Sequence, residues 1–229
     1  MKSSLIVFFT FFLLTTLTQA STREGIRLMT MKNHHALEYA QVKKLLFSIV
    51  DNIKGQVCSA YTPSQCKERY QRDINQALDS KSHQNFKLNI EHTWPQSKGA
   101  KELPANSDMH HLFVTSKESN SKRANLPFCD AVYDYWQMDG SIQGFDNFSQ
   151  DCFEAQDLHK GNVARAMFYF SIRYNYPIDS HQESVLRSWH ELDPVDQREI
   201  ERNLIIQKLQ GNLNPFITDP NFVNLIKDF

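Results

Sequence analysis

The sequence lacks several features that mark common classes of protein. It has no excess of positive charge, because 25 lysines and arginines face 26 aspartates and glutamates, for a net charge of −1. Proteins that hold nucleic acid tightly are often strongly basic, so any attraction for phosphate must be local to a cleft. No apolar run after the first 20 residues is long enough to cross a bilayer. No repeat, low-complexity segment or linker divides the chain.

The first 20 residues have the pattern of a signal peptide. Lys2 precedes an apolar core from Leu5 to Leu14, and Ala20 ends a segment that fits cleavage. The core is too short for a transmembrane anchor. We therefore expect an exported protein, periplasmic or secreted, in which residues 21–229 form a single domain. Without Lys2, 24 basic and 26 acidic residues remain, which is a charge of −2.

The sequence contains four cysteines but no Cys-x-x-Cys pair, which argues against a structural zinc site. The cysteines are Cys58, Cys66, Cys129 and Cys152. An even number behind an export signal favours two disulfides, and three connectivities are possible. Proximity in the sequence favours Cys58–Cys66 and Cys129–Cys152.

Hydrophobic spacing predicts several helices and leaves residues 130–156 as irregular structure with short strands. Helices are expected over residues 35–54, over Pro63–Leu78 as an exposed polar helix, from Asp157 onward, and over Pro194–Gln210 after an Asp193 N-cap. The helix from Asp157 carries an apolar stripe that should be core: Val163, Ala166, Met167, Phe170 and Tyr174. The last helix should bury Ile200, Leu204, Ile205 and Leu209.

The stretch from residue 89 to residue 128 carries the clearest chemistry. An alternating apolar run ends at Glu91-His92, a loop follows, and a second strand is expected over residues 108–114. A polar helix start with Asn120 and Asn125 comes next. Strand, loop, strand and helix in this order can point a carboxylate, an imidazole and a carboxamide into one cleft. Carboxylate and amide oxygens suit Mg²⁺, and a neutral imidazole suits a general base near pH 7.

These residues form a pattern that resembles a known family. The motifs are Ile90-Glu91-His92-x-Trp94-Pro95, Asp108-x-His110-His111-Leu112 and Asn120-x-x-Arg123-x-Asn125, with Gly161-x-x-Ala164-Arg165, Arg202-Asn203 and Gln210-Gly211-Asn212-x-Asn214-Pro215-Phe216 further on. Over roughly residues 35–217 the chain resembles the bacterial endonuclease I family of periplasmic or secreted nucleases. The resemblance implies an α+β fold, in which a small ββα-metal (His-Me finger) core is surrounded by helices.

The resemblance also implies an activity: hydrolysis of phosphodiester bonds in DNA, and in RNA as well, with little sequence specificity. It makes Glu91 and Asn120 the ligands of one Mg²⁺, for which Mn²⁺ can substitute, and His92 the general base. Asn125 is the second choice of ligand. Contacts with the substrate should go mainly to its phosphate and sugar groups. We expect no association with a membrane, and we expect the protein to be a monomer.

The cation that stabilises the transition state needs a separate argument. Family members carry an arginine in a longer, cysteine-bearing insertion between the strands, whereas this loop offers only Lys98 and Lys101. We favour Arg123, since three residues after Asn120 on a helix it shares a face with the expected ligand. A guanidinium can also contact two phosphate oxygens at once. The alternative is that Arg123 pairs with a carboxylate such as Asp108 and supports the core.

Two alternatives to a nuclease follow from the same residues. The first is an exported nucleic-acid-binding protein with a structural metal site and no cleavage activity. The second is a zinc-dependent hydrolase that uses His92, His110 and His111. For the two adjacent histidines we favour a structural role, with one of them buried and hydrogen-bonded behind the metal ligands. Arg165 suits a structural ion pair and a phosphate contact equally, and Trp94 suits a packing role.

Overall fold

The computed structural model of the protein describes residues 22–68 and 87–229. The helices are α1 (22–31), α2 (Tyr39–Leu45), α3 (Lys117–Arg123), α4 (Asp157–Tyr174), α5 (Ser180–Leu192), α6 (Gln197–Gln210), α7 (Pro215–Thr218) and α8 (Phe222–Leu225). The strands are β1 (Asn52–Ile53), β2 (Gln56–Cys58), β3 (Cys66–Glu68), β4 (Leu88–His92), β5 (Leu112–Ser116), β6 (Tyr133–Met138), β7 (Ser141–Phe145) and β8 (Asp151–Glu154). Helices and three small antiparallel sheets make this a mixed α and β architecture.

The predicted order of strand, loop, strand and helix is present. β4 and β5 pair antiparallel with Glu91 opposite Phe113, and α3 follows β5 directly. Ser116 caps α3, because its side chain accepts a hydrogen bond from the Ser119 backbone N–H. The second strand starts later than predicted. The carboxylate of Asp108 instead caps a 3₁₀ turn by accepting from the backbone N–H of His110.

The core lies around α4. The predicted stripe is confirmed, since four of its members are buried and Tyr174 packs against them. Trp94 stacks on Phe170, with ring centroids 4.7 Å apart, and its indole N–H donates to the Lys98 carbonyl. The packing role expected for Trp94 is therefore confirmed. This contact fixes the loop after β4 against the central helix.

The first predicted helix is shorter than expected. In place of one helix over residues 35–54, α2 is followed directly by one wide π turn over Leu46–Val50. The chain then forms the β1–β2 hairpin, with Lys54 and Gly55 in its two-residue turn at φ +52° and +89°. Positive φ at both turn positions matches the twist of a hairpin. Gly55 therefore serves the hairpin and does not end a helix.

The last long helix also departs from the prediction. α6 starts at Gln197, and its N-cap is Asp196, whose side chain accepts from the Glu199 backbone N–H at 2.7 Å. Asp193 accepts from the backbone N–H of Gly161 in α4 instead. Two residues of the expected buried face are exposed, Ile200 by 40% and Leu204 by 46%; Ile205 and Leu209 are half-buried.

The buried side of α6 is mostly polar. It consists of Glu199, Arg202, Asn203, Ile206 and Gln210. The helix packs on buried ion pairs and on loop carbonyls, so hydrophobic spacing selected the wrong face. One such ion pair joins α6 to α4. The guanidinium of Arg165 on α4 contacts both carboxylate oxygens of Glu199 on α6, at 2.8 and 2.6 Å. Of the two roles left open for Arg165, the structure has the ion pair.

Residues 133–154 form the three-stranded sheet β6–β7–β8, which is more regular than the sequence predicted. The two predicted disulfides are confirmed: Cys58–Cys66 joins β2 to β3, and Cys129–Cys152 joins the chain before β6 to β8. Residues 63–68 form a turn and β3 where a helix was predicted, and the rest of that prediction lies outside the described residues. The predicted signal peptide lies outside them as well.

Among the described residues, no helix combines the length and the hydropathy that are needed to cross a bilayer.

Candidate active site

A cleft of about 500 Å³ opens where the end of β4, the following loop and α3 meet. Its lining consists of Tyr39, Asn89, Ile90, Glu91, His92, Pro95, Gln96, Ser97, Asn120, Ala124 and Asn125. The structure thus brings together the four residues that the sequence singled out as ligands and base. β4 ends at His92 and the chain bends at residues 93–94, so adjacent Glu91 and His92 both reach the cleft.

Glu91 lines the cleft and is 2% exposed. Its Oε1 accepts a hydrogen bond from the Tyr61 hydroxyl at 3.2 Å and lies 3.1 Å from Nε of Arg123. Burial raises the pKa of Glu91 to about 7, although the charge of Arg123 and the Tyr61 hydrogen bond lower it. Its Oε2 accepts no hydrogen bond from a described residue. One carboxylate oxygen is thus held by the protein, and the other has no partner among the described residues, in a side chain that lines the cleft.

His92 is oriented by a backbone carbonyl. Its Nε2 lies 3.0 Å from the Asn106 carbonyl, so the proton is placed on Nε2 and the lone pair on Nδ1. The Gln96 amide nitrogen lies 3.1 Å from Nε2 and 3.4 Å from Nδ1. The pKa of His92 is lowered to about 3, mainly by burial and also by His111 and Arg123, against the Asn106 carbonyl, which raises it. The imidazole is therefore neutral near pH 7, which is the form that can accept a proton, although the same burial weakens it as a base.

Asn120 and Asn125 both line the cleft but differ in their contacts. Asn120 is half-buried, and its Nδ2 donates to the Ile90 carbonyl of β4 at 3.1 Å. This bond directs the amide, and its Oδ1 accepts no hydrogen bond from a described residue. Asn125 is exposed, and within the described part of the chain its side chain makes a single contact, 3.5 Å between its Nδ2 and the Ser97 hydroxyl. A fixed amide oxygen is the better prepared ligand, so the geometry favours Asn120 over Asn125.

Arg123 does not lie where a phosphate contact requires it. It is 1% exposed, and its guanidinium donates to the carbonyls of Thr93 at 2.7 Å and Ala124 at 2.9 Å. Its charge lies against Glu91, and its CZ atom is 4.5 Å from the ring centroid of Phe128. The geometry thus matches the alternative in which Arg123 pairs with a carboxylate, and the partner is Glu91 in place of Asp108. The guanidinium is committed to the protein and is not available to substrate.

His110 and His111 are both buried, so one fits the expected buried position and the other is packed and not exposed. His110 donates from Nε2 to the Asn212 carbonyl at 3.1 Å, and His111 to the Ala105 carbonyl at 2.7 Å. Burial lowers the pKa of each to about 4. Within the described ranges, no group of three His, Cys, Asp or Glu side chains could hold a metal ion. The zinc cluster with His92 therefore has no geometric support.

The residues of the cleft fit a hard divalent cation. Oε2 of Glu91 and Oδ1 of Asn120 are oxygen atoms of the kind that Mg²⁺ prefers, and both lack a partner among the described residues. Mg²⁺ keeps several waters, so two protein ligands suffice when water and phosphate complete its shell. This donor set contains a single carboxylate and no thiolate, so it suits Mg²⁺ or Mn²⁺ better than zinc.

Sequence reasoning missed part of the lining. Asn89, Gln96 and Ser97 belong to the same segment as Glu91, and their polar character next to the motif was a usable signal. Tyr39 lies far upstream at the start of α2, and no motif or periodicity connects it with the cleft. Its ring centroid is 5.6 Å from that of His92.

Comparison with known proteins decides the family. The sequence profile described as Endonuclease I matches residues 23–221, which is most of the chain. The chain belongs to the endonuclease I family. As a family member, it is 35% identical over 158 residues to an extracellular ribonuclease of Bacillus subtilis, a match that covers 60% of this chain and 53% of the relative.

Two relatives in Aeromonas hydrophila extend this comparison. An extracellular deoxyribonuclease is 37% identical over 114 residues, with 48% of each chain covered. A periplasmic deoxyribonuclease is 35% identical over 116 residues, with 48% of this chain and 46% of the relative covered. This endonuclease I family member thus spans about half the length of the curated relatives it matches.

Proposed function

We propose that this protein is a metal-dependent endonuclease that hydrolyses phosphodiester bonds in DNA and RNA with little sequence specificity. The observation that carries the proposal is the orientation of His92, whose Nε2 lies 3.0 Å from the Asn106 carbonyl oxygen, an atom that can only accept a hydrogen bond. The proton is thereby assigned to Nε2, which leaves Nδ1 as the basic nitrogen of a side chain that lines the cleft with Glu91 and Asn120. Relatives named as a ribonuclease and as deoxyribonucleases support both substrates.

In this proposal, His92 acts as the general base. Its Nδ1 accepts a proton from a water molecule, and the water oxygen forms a bond to phosphorus on the side opposite the leaving oxygen. The bond from phosphorus to the leaving oxygen then breaks, and that oxygen takes a proton from solvent. The Asn106 carbonyl keeps the imidazole in the tautomer that this transfer requires and stabilises it once it is protonated.

Glu91 and Asn120 would hold Mg²⁺ or Mn²⁺ through Oε2 and Oδ1. A bound divalent cation supplies charge stabilisation for the phosphate oxygens as negative charge develops. Arg123 then acts as a support, since its charge and the Tyr61 hydroxyl hold Oε1 of Glu91 and leave Oε2 for the cation. Among the described residues no lysine or arginine lines the cleft, so Lys98 and Lys101 of the adjoining loop are the remaining candidates for a second cation.

The export of the protein and its monomeric state belong to this proposal too. Relatives named extracellular or periplasmic support an exported protein. The nearly balanced overall charge fits an enzyme that must release its product and does not hold nucleic acid tightly.

The test is cleavage of plasmid DNA and of a structured RNA by the purified protein and by His92→Ala. We expect cleavage in Mg²⁺ that EDTA abolishes, and a loss of about 10²- to 10⁴-fold in rate for His92→Ala. Folding and Mn²⁺ affinity should change little in this variant, because His92 is a base and not a ligand. His181→Ala is a matched control, since its imidazole is paired with Asp146 outside the cleft.

Other outcomes would contradict particular parts of the proposal. Binding of both nucleic acids without cleavage would favour the exported binding protein with a structural metal. A His92→Ala variant that cuts at the normal rate would remove the base assignment. Activity that Zn²⁺ restores better than Mg²⁺ or Mn²⁺ would argue against the oxygen-donor site.

A further inference from the structure

We propose that Tyr39 is a substrate-contacting residue, whose ring stacks on a nucleobase next to the scissile phosphate. This inference rests on the proposed phosphodiester hydrolysis and adds a nucleotide contact that is independent of base identity. Tyr39 begins α2 and lines the same cleft as Glu91, His92 and Asn120. It reaches the cleft from a segment that is separate from the strand–loop–strand–helix unit.

The position of the ring relative to His92 is the first argument. The two ring centroids are 5.6 Å apart, and the planes are inclined by 34°. A phosphate that reaches His92 brings its attached sugar and base into this part of the cleft. Tyr39 offers an aromatic surface there, so a base can pack against it while its phosphate lies between His92 and the oxygen ligands.

The chemistry of the remaining lining is the second argument. Apart from His92, the other lining side chains are amides, a hydroxyl, a carboxylate and small or aliphatic groups. None of these offers a flat π surface. Aromatic rings bind bases of any identity, because every base has a π face. Tyr39 can therefore add affinity without sequence specificity.

The state of the phenol is the third argument. Burial raises the pKa of Tyr39, so the hydroxyl stays protonated and carries no charge that would repel phosphate. Among the described residues, nothing forms a hydrogen bond with this hydroxyl. The side chain is half-buried against the cluster around Val42 and Leu46, which fixes the ring without covering it completely.

The test uses single-stranded oligonucleotides in which one phosphodiester can be cut and all other linkages are methylphosphonates. In two further substrates, the base on the 5′ or the 3′ side of that linkage is replaced by an abasic analogue. Loss of one stacked base should lower kcat/KM of the wild-type protein by about 5- to 100-fold on one of the two sides. Tyr39→Phe should keep this preference for the base-bearing substrate over the abasic one. Tyr39→Leu should abolish the preference by raising KM for the base-bearing substrate.

Tyr133→Leu is the control, because Tyr133 is 64% exposed on β6 and does not line the cleft. Thermal melting of each variant confirms folding. Equal cleavage of base-bearing and abasic substrates by the wild-type protein would overturn the proposal. So would a Tyr39→Leu variant that keeps the preference, or one whose kcat falls equally on all substrates, since the ring would then act only through His92. The proposed function fails separately, if His92→Ala or EDTA leaves cleavage unchanged.

Discussion

The cleft and the polar cluster around Asp108 are both built from charged and polar side chains, but they use the oxygens of those side chains differently. In the cleft, Oε2 of Glu91 and Oδ1 of Asn120 accept no hydrogen bond from a described residue. In the cluster, each oxygen of Asp108 accepts two. We call this cluster the Asp108 network; its other side chains are Tyr169, Arg173, Tyr174, Gln210 and Asn212.

The hydrogen bonds of the network occupy both carboxylate oxygens of Asp108. Oδ1 of Asp108 accepts from the His110 backbone N–H at 3.2 Å and from Gln210 at 2.8 Å. Oδ2 accepts from the hydroxyls of Tyr169 at 2.7 Å and Tyr174 at 2.9 Å. The carboxylate is fully buried. A saturated buried acceptor contributes to stability, whereas an oxygen with a free lone pair in a cleft is available to a ligand.

The largest effect is expected in the network. Asp108→Ala removes the acceptor of the buried Tyr169 hydroxyl and of the half-buried Tyr174 hydroxyl, and leaves buried Arg173 without its carboxylate. It should lower the free energy of unfolding by about 3–5 kcal/mol. Urea denaturation at pH 7 measures this loss, with Asp134→Ala on exposed β6 as the control. A loss no larger than that of the control would mean that the network does not stabilise the fold. The folded fraction of Asp108→Ala should still bind Mn²⁺, since Asp108 does not line the cleft.

The same variant should change the dependence of stability on pH. Burial raises the pKa of Asp108, but the charges of Arg173 and nearby histidines lower it more, so the pKa lies below its usual value. A carboxyl whose pKa is depressed on folding stabilises above its unfolded pKa of about 4 and loses that contribution as pH falls. The difference in stability between wild type and Asp108→Ala should therefore narrow below about pH 4. A difference that widens there would contradict the ionised state.

The comparison also shows what the sequence could predict. Glu91, His92, Asn120 and Asn125 lie in one local strand–loop–strand–helix unit, so their meeting follows from the order of elements. The partners of Asp108 come from α4 and from the end of α6, and neither spacing nor composition connects them. Hydrophobic spacing located α4 correctly, because its buried stripe is apolar. It failed on α6, because that helix buries charges and amides that are paired across the fold.

An intermediate effect is expected at the amides of the cleft. Asn120→Ala should weaken Mn²⁺ binding by about tenfold or more, because it removes an oxygen that is directed by the Ile90 carbonyl. Asn125→Ala should change the affinity by no more than about twofold, as for a typical exposed side chain. Titration calorimetry measures both, with Asn89→Ala as a further cleft amide for control. If Asn125→Ala is the weaker binder, the second ligand is Asn125.

The smallest effect on stability is expected at Arg123, which shares one feature with each of the two regions. It is buried like the Asp108 network, yet its charge lies against Glu91 of the cleft. In Arg123→Lys the charge remains, but the hydrogen bonds to the carbonyls of Thr93 and Ala124 cannot both be kept. The loss of one such bond should lower the free energy of unfolding by about 1 kcal/mol.

The decisive measurement is kcat at saturating DNA, corrected for the folded fraction. A guanidinium that only supports Glu91 can be replaced by an ammonium with a change in kcat of about threefold or less, since the charge beside Glu91 is kept. A guanidinium that contacted the transition state would lose about 10²-fold or more, because a lysine cannot contact two phosphate oxygens. Arg187→Lys, which alters an ion pair with Glu183 outside the cleft, is the matched control. A large fall in kcat with normal melting for Arg123→Lys alone would mean that the buried arginine moves into the cleft when substrate binds.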